Sequence, residues 1–239
     1  MARSKENLVS LGSGGSTFLN LGVGISRGFV PKLNLSGLII SEENEINVPN
    51  ARRLGAPWRV VNQESFRGDD GKVDEYGFGQ ALNKAIAELG GTVVSQNGWL
   101  QKTPRNTIEQ YSGVIYNQHP GPKRETRATH GKRSHAIMLE LVRLTGRNEG
   151  TDVIIHRIDE KWDHGETVAI SHVPIFEADT PESLQRAALY FEYILQLDHW
   201  RRVVEDKVTN VSEPVYMRPG EEHLLIEARD RAKEIYPNG

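Results

Sequence analysis

Short apolar runs alternate with amphipathic helical stretches through the first half of this chain. Strand-like runs stand at Leu8–Leu11, Leu35–Ser41, Trp58–Val61, Thr92–Ser95 and Gly113–Tyr116. Between them, helical patterns run over Phe18–Ile25, Val48–Leu54, Glu75–Leu89 and Thr107–Tyr111. In Glu75–Leu89, Phe78, Ala81, Leu82, Ala85, Ile86 and Leu89 recur at helical spacing, and Gly90-Gly91 closes the stretch. Phe66–Tyr76, with Gly68-Asp-Asp-Gly71, reads as a polar loop. Runs of this kind alternating with helices specify an α/β fold, an open, mostly parallel, doubly wound sheet. After Pro122 the pattern changes. A helix over Gly131–Thr145 precedes strand-like Val153–Ile158 and Thr167–Val173, which can pair across Asp159–Glu166. Pro181–Val204 is a long helix with Thr180 as N-cap. The expected division is an α/β domain over 1–204 and a C-terminal extension over 205–239, with a charged helix at Glu221–Tyr236.

Composition excludes whole classes of function. With 29 Lys plus Arg against 32 Asp plus Glu, the net charge of −3 gives no general attraction for nucleic acid or anionic membranes. The absence of Cys removes disulfides, thiolate nucleophiles and Cys-ligated metal centres. The eight His residues show no HExxH or other clean ligand spacing, so no metal is expected. No apolar run approaches the roughly 18 residues of a spanning helix, and the N-terminal apolar stretch is too short for a secretory signal. The expectation is a soluble cytoplasmic protein, monomer or homodimer, acting on small molecules.

Several stretches carry candidate chemistry. Gly12-Ser-Gly-Gly-Ser-Thr17 lies between the first strand and the first helix. There, glycine backbone N–H groups and a helix N-terminus can cradle a phosphate, or the loop is only a tight turn. It matches neither G-x-G-x-x-G nor the Walker pattern. Asn117-Gln118-His119-Pro120 follows Gly113–Tyr116 directly, at the carboxyl end of a parallel strand where open α/β sheets bind ligands. At period two, Asn117 and His119 point the same way. An Asn donor beside a His suits stabilisation of an oxyanion in acyl transfer, and the plain alternative is a strand-ending turn. Asp163, in Asp163-His164-Gly165, is either the carboxylate that orients the His or a turn residue. Lys123, Arg124 and Arg127 either meet a substrate phosphate or line a solvated loop. His135 and His156 read as core or surface histidines.

Taken together, these motifs resemble the formyltransferase superfamily that uses 10-formyltetrahydrofolate, and within it the phosphoribosylglycinamide formyltransferase family. The resemblance spans roughly residues 7–204. It rests on Gly15-Ser16-Thr17, Gly98-Trp-Leu-Gln-Lys-Thr-Pro104, Asn117-x-His119, His156-Arg-Ile-Asp-Glu-Lys-Trp-Asp163-His-Gly165 and Asp179-Thr-Pro-Glu-Ser-Leu184, all in order. It implies formyl transfer to the primary amine of glycinamide ribonucleotide, with Asn117, His119 and Asp163 as the catalytic trio. Gly14, Gly15, Ser16, Thr17 and Glu192 would hold the phosphorylated amine. Trp99, Leu100, Gln101, Lys102 and Ile158 would hold the folate cosubstrate. Three departures stand out. Thr17 replaces an Asn, Gln101 replaces an Arg, and Gly121-Pro122-Lys123-Arg124 replaces Ser-Leu-Leu-Pro. They keep open an amine on a nucleotide-linked sugar as acceptor, and a non-catalytic nucleotide- or folate-binding homologue. A methionyl-tRNA formyltransferase is disfavoured, because Glu205–Gly239 is too short for a further domain. A carboxylate beside His119 is expected to raise its pKa above roughly 6.5, keeping it protonated and giving activity an alkaline fall.

Overall fold

The computed structural model describes residues 5–239. Seven strands form one sheet: β1 (Glu6–Gly12), β2 (Leu33–Ile40), β3 (Trp58–Val60), β4 (Val93–Asn97), β5 (Ile115–His119), β6 (Thr151–Arg157) and β7 (Thr167–Val173). Their order is β3-β2-β1-β4-β5-β6-β7. The pairs from β3 across to β5 are parallel, whereas β6 runs antiparallel to both β5 and β7. The sheet is therefore the open, mostly parallel α/β architecture expected from the alternating pattern.

The helices are α1 (Ser16–Ser26), α2 (Asn47–Leu54), α3 (Glu75–Glu88), α4 (Arg105–Gln110), α5 (Lys123–Thr126), α6 (Gly131–Thr145), α7 (Pro181–Val204) and α8 (Glu222–Ile235). Thr180 caps α7 as expected, its hydroxyl accepting from the Ser183 N–H while the Ser183 hydroxyl accepts from the Thr180 N–H. Helices on both faces bury the strands. Phe78, Leu82 and Ile86 of α3 pack on Val9, Leu11 and Val94. On the other face Leu184, Ala188 and Trp200 of α7 join Leu8, Val153 and Ile155. The chain after Val204 rests on that same core. Val211 N–H donates to Thr167 O, the Tyr216 hydroxyl donates to Asp152, and Ala228 and Ala232 of α8 are buried with Ile137 and Leu141 of α6. Among the described residues no helix is long and apolar enough to cross a membrane.

The chain winds outward from β1 to β3 and returns to β4 on the other side of β1, so a crevice opens at the carboxyl ends of β1 and β4. Gly12 is what lets those ends meet. A Cβ there would lie 2.0 Å from the Asn97 carbonyl oxygen, closer than any side chain tolerates. One boundary differs from the sequence reading. The strand expected to stop at Tyr116 continues to His119, because β6 pairs with it as far as His119↔Ile154. Asn117 and His119 are thus strand residues, held by a ladder and not by a loop.

Candidate active site

The register of β5 on β6 places Asn117 directly beside His156. Their side chains meet, Asn117 Nδ2 lying 3.2 Å from His156 Nε2. The other ring nitrogen, His156 Nδ1, sits 2.8 Å from the Arg157 carbonyl oxygen. A carbonyl only accepts, so neutral His156 carries its proton on Nδ1, and Nε2 accepts from the Asn117 amide. This contact orients the amide. One Asn117 N–H is engaged by His156 and the second remains for the crevice.

His119 is buried at the end of the same strand. Its Nε2 lies 2.8 Å from Thr126 Oγ1 and its Nδ1 lies 3.6 Å from Asp163 Oδ1. The same carboxylate oxygen stands 3.4 Å from His156 Nε2, so Asp163 faces both rings at once. Its other oxygen accepts the Ala128 N–H at 2.9 Å. Asp163 and Ala128 both adopt left-handed backbone, at φ 52° and 57°. Such strain, on the order of 1–3 kcal/mol per residue, persists where surrounding structure over-determines it, commonly at functional sites.

Burial sets the charge states. It pushes the His119 imidazole down to about 4, and the opposing pull of Asp163 does not overcome it. The expected rise of this group is therefore incorrect. Desolvation of a fully enclosed ring outweighs one carboxylate 3.6 Å away, and His119 is neutral at pH 7. Burial also works against the Asp163 charge, but the His156 contact, the His119 ring and the Ala128 N–H hold the carboxyl at about 2. The site at rest is one carboxylate, Asp163, facing a neutral His119 and, on its other side, the ring of His156.

These groups open into a cavity of about 440 Å³ between the strand ends, the start of α6 and the side of α7. Asn117, Gln118, His119, Asp163 and Trp162 line it, with Ser13, Thr17, Trp99, Leu100 and Glu192. Glu192 is drawn in from α7 by Gln118, whose Nε2 donates to it at 2.6 Å, and burial pushes its carboxyl up to about 7. Trp99, Asn117, Trp162 and Asp163 also border a smaller adjoining cleft that includes Lys102 and Ile158.

Of the residues expected from sequence, Asn117, His119, Asp163, Thr17, Glu192, Trp99 and Leu100 meet at the main cavity, and Lys102 and Ile158 at the cleft. Gln101 reaches neither, because its side chain accepts from the Gln63 N–H at 2.5 Å and donates to Val61 O at 3.4 Å. Gly14 turns toward α2, where its carbonyl accepts from Asn50 Nδ2. Gly15 is the N-cap of α1 and Ser16 its first residue. Lys123 is buried away from the cavity, donating to Gly165 O and pairing with Glu213 at 3.0 Å. His156, read from sequence as a core or surface residue, belongs to the site. Only the pairing of β6 beside β5 brings it there, and no local pattern encodes that. Gln118 and Trp162 are further site residues whose neighbours are equally non-local, and Thr126 reaches His119 from seven residues along the chain through the turn of α5.

No family model matches the chain. It is 25% identical over 209 residues to the chloroplastic phosphoribosylglycinamide formyltransferase of Arabidopsis thaliana, covering 86% of this chain and 68% of that one. Its fold is shared with glycinamide ribonucleotide transformylase 1 from Symbiobacterium toebii, at a TM-score of 0.71, 17% identity, and coverage of 87% of this chain and 95% of that one. It is also shared with a formyltetrahydrofolate deformylase from Pseudomonas syringae, at a TM-score of 0.68, 15% identity, and coverage of 88% of this chain and 65% of that one. The chain has the formyltransferase fold, and its sequence is similar to a phosphoribosylglycinamide formyltransferase.

Proposed function

We propose that this chain is a formyltransferase that moves the formyl group of 10-formyltetrahydrofolate onto the primary amine of glycinamide ribonucleotide. The observation that carries this reading is the convergence of Asn117, His119 and Asp163 on one cavity at the carboxyl end of β5, in a fold whose solved examples include formyltransferases. The residues at hand fit the cosubstrate. Trp99, Trp162 and Ile158 offer apolar surface beside Asn117, and the buried indole N–H of Trp99 has no partner among the described residues. The cosubstrate supplies an electrophilic formyl carbon; the protein supplies orientation, hydrogen bonds and proton movement.

The free N–H of Asn117 donates to the oxygen on which negative charge grows as the amine attacks. A preorganised donor of this kind contributes about 10²–10³ in rate. The attacking nitrogen gains a positive charge and must lose a proton. His119, neutral at rest, accepts it, and the imidazolium so formed is stabilised by Asp163. The same proton then goes to the departing nitrogen. Glu192 and Gln118, on the far wall, are placed to accept from and donate to sugar hydroxyls. The first turn of α1, with Ser13 and Thr17, offers neutral donors to the acceptor's phosphate.

A second acceptor, an amine on a nucleotide-linked sugar, is favoured by one observation. Among the described residues that line the cavity, none is Lys or Arg to meet a terminal phosphate. Formylation assays with 10-formyltetrahydrofolate and a panel of amines decide between the two. Glycinamide ribonucleotide should react with the highest kcat/KM, and His119→Ala should lose on the order of 10²–10⁴ in kcat. Formate release without any amine acceptor, or undiminished turnover in His119→Ala, would overturn the reading.

A further inference from the structure

The segment that departs from the formyltransferase pattern, Gly121-Pro122-Lys123-Arg124, leads into α5, a short helix that ends beneath His119 at Thr126. Thr126 is fully buried. Its hydroxyl oxygen lies 2.8 Å from His119 Nε2 and 2.9 Å from the Pro122 carbonyl oxygen, to which it donates. A hydroxyl has one hydrogen, and the Pro122 oxygen can only accept. With that hydrogen engaged, Thr126 Oγ1 presents a lone pair to His119, so the proton of the neutral ring sits on Nε2.

From this geometry we infer that Thr126 is a positioning residue that assigns the tautomer of His119 and makes Nδ1 the nitrogen that takes up the reaction's proton. Nδ1 then faces the Asp163 carboxylate across 3.6 Å with its lone pair free. Without Thr126 the neutral ring would prefer the opposite tautomer, with Nδ1–H donating to Asp163, and the base would be occupied before the amine arrived. The inference rests on the proposed formyl transfer for its kinetic consequence, but the tautomer itself is independent of any substrate.

Two further features keep the hydroxyl in place. Gly121 makes room for it, since a Cβ there would lie 2.5 Å from Thr126 Oγ1. The short helix is pinned from outside its own turn. Lys123 donates to Gly165 O and pairs with Glu213, while Arg229 of α8 donates to the carbonyls of Glu125 and Arg124. Thus the chain after Val204 holds the element that holds His119.

The test uses the full chain labelled with ¹⁵N-histidine. In the wild-type protein at pH 7, His119 should show a protonated Nε2 and an unprotonated Nδ1. In Thr126→Val, which keeps the shape and loses the hydroxyl, the proton should move to Nδ1. Formyl-transfer kcat should fall about 10–100-fold while both KM values stay within about twofold. Thr126→Ser should restore both the Nε2 tautomer and most of the rate. A wild-type spectrum with the proton on Nδ1, an unchanged tautomer in Thr126→Val, or a Thr126→Ser variant as slow as Thr126→Val would overturn the inference. If Thr126→Val does not fold, the wild-type and Thr126→Ser spectra decide. A wild-type chain that formylates no amine would sink the proposed function and leave the tautomer result standing.

Discussion

At the scale of single residues, the balance at His119 is between burial and one carboxylate, and it can be moved. Burial holds the ring at about 4 and Asp163 pulls the other way. Asp163→Asn removes the pull, so the His119 pKa should drop further, as read by the ring's NMR shifts during a pH titration. Any upward movement would mean that Asp163 is not its electrostatic partner. Because His119 is neutral above about 4, its titration gives kcat no alkaline limb. A loss of kcat between pH 6.5 and 9 that vanished in His119→Asn would contradict that. On the proposed function, Asn117→Ala removes the donor assigned to the developing oxyanion and should lower kcat by about 10²–10³. It also frees His156 Nε2, so combined with His119→Ala its loss should be far from additive.

At the scale of elements, the βα alternation was plain in the sequence because each strand and helix has its own period. The presence of β5 was legible although its end was not, since the run to His119 depends on pairing with β6. What was hidden is whatever needs a partner from elsewhere in the chain. His156 enters the site through pairing of β6 with β5, Thr126 through a turn of α5, and Gln101 leaves it because Gln63 and Val61 hold it. Burial, which reverses the charge expected of His119, is likewise a property of packing and not of spacing. Two glycines of the first loop show the same contrast. Gly12→Ala would drive a methyl into the Asn97 carbonyl at 2.0 Å and force β1 and β4 apart. It should destabilise the fold by about 3 kcal/mol or more. Gly15 has φ −78° and an added Cβ meets only Ser13 Oγ at 3.4 Å. Gly15→Val should therefore fold normally and, on the proposed function, raise KM for a phosphorylated acceptor, because the branched side chain crowds the first turn of α1, the place proposed for the phosphate. Chemical denaturation of the first and steady-state kinetics of the second check these outcomes. Equal stability of Gly12→Ala and wild type would mean the strand ends can separate freely.

At the scale of the whole molecule, the interior holds ionisable groups of opposite kinds, and together they shape stability against pH. Burial pushes His119 and His135 down to about 4 and His199 down to about 3. It pushes Glu125 and Glu192 up to about 7. For the histidines the unfolded chain binds more protons below roughly 6.5, so their neutral burial loses stability as pH falls from about 6.5 toward 4. For the two carboxyls the folded chain binds more protons, so it gains stability as pH falls from about 7 toward 4.5. Between about 4.5 and 6.5 the two trends oppose, three histidines against two carboxyls, and the melting temperature should decline only gently. Below about 4.5 these two carboxyls are protonated in both states. The histidines' loss continues only until the folded rings protonate, His119 and His135 at about 4 and His199 at about 3, while Asp163, held at about 2, adds a loss of its own. His199 allows a clean check. Its ring is buried against Tyr116 and Trp200, with neither nitrogen hydrogen-bonded among the described residues, and it stands outside the cavity lining. His199→Phe fills nearly the same space without a titrating group. Its melting curve should match the wild type near pH 7, and its loss of stability between about pH 6.5 and 3 should be shallower by up to one proton. A variant whose acid limb superimposes on that of the wild type would show that His199 contributes nothing to the acid sensitivity of this fold.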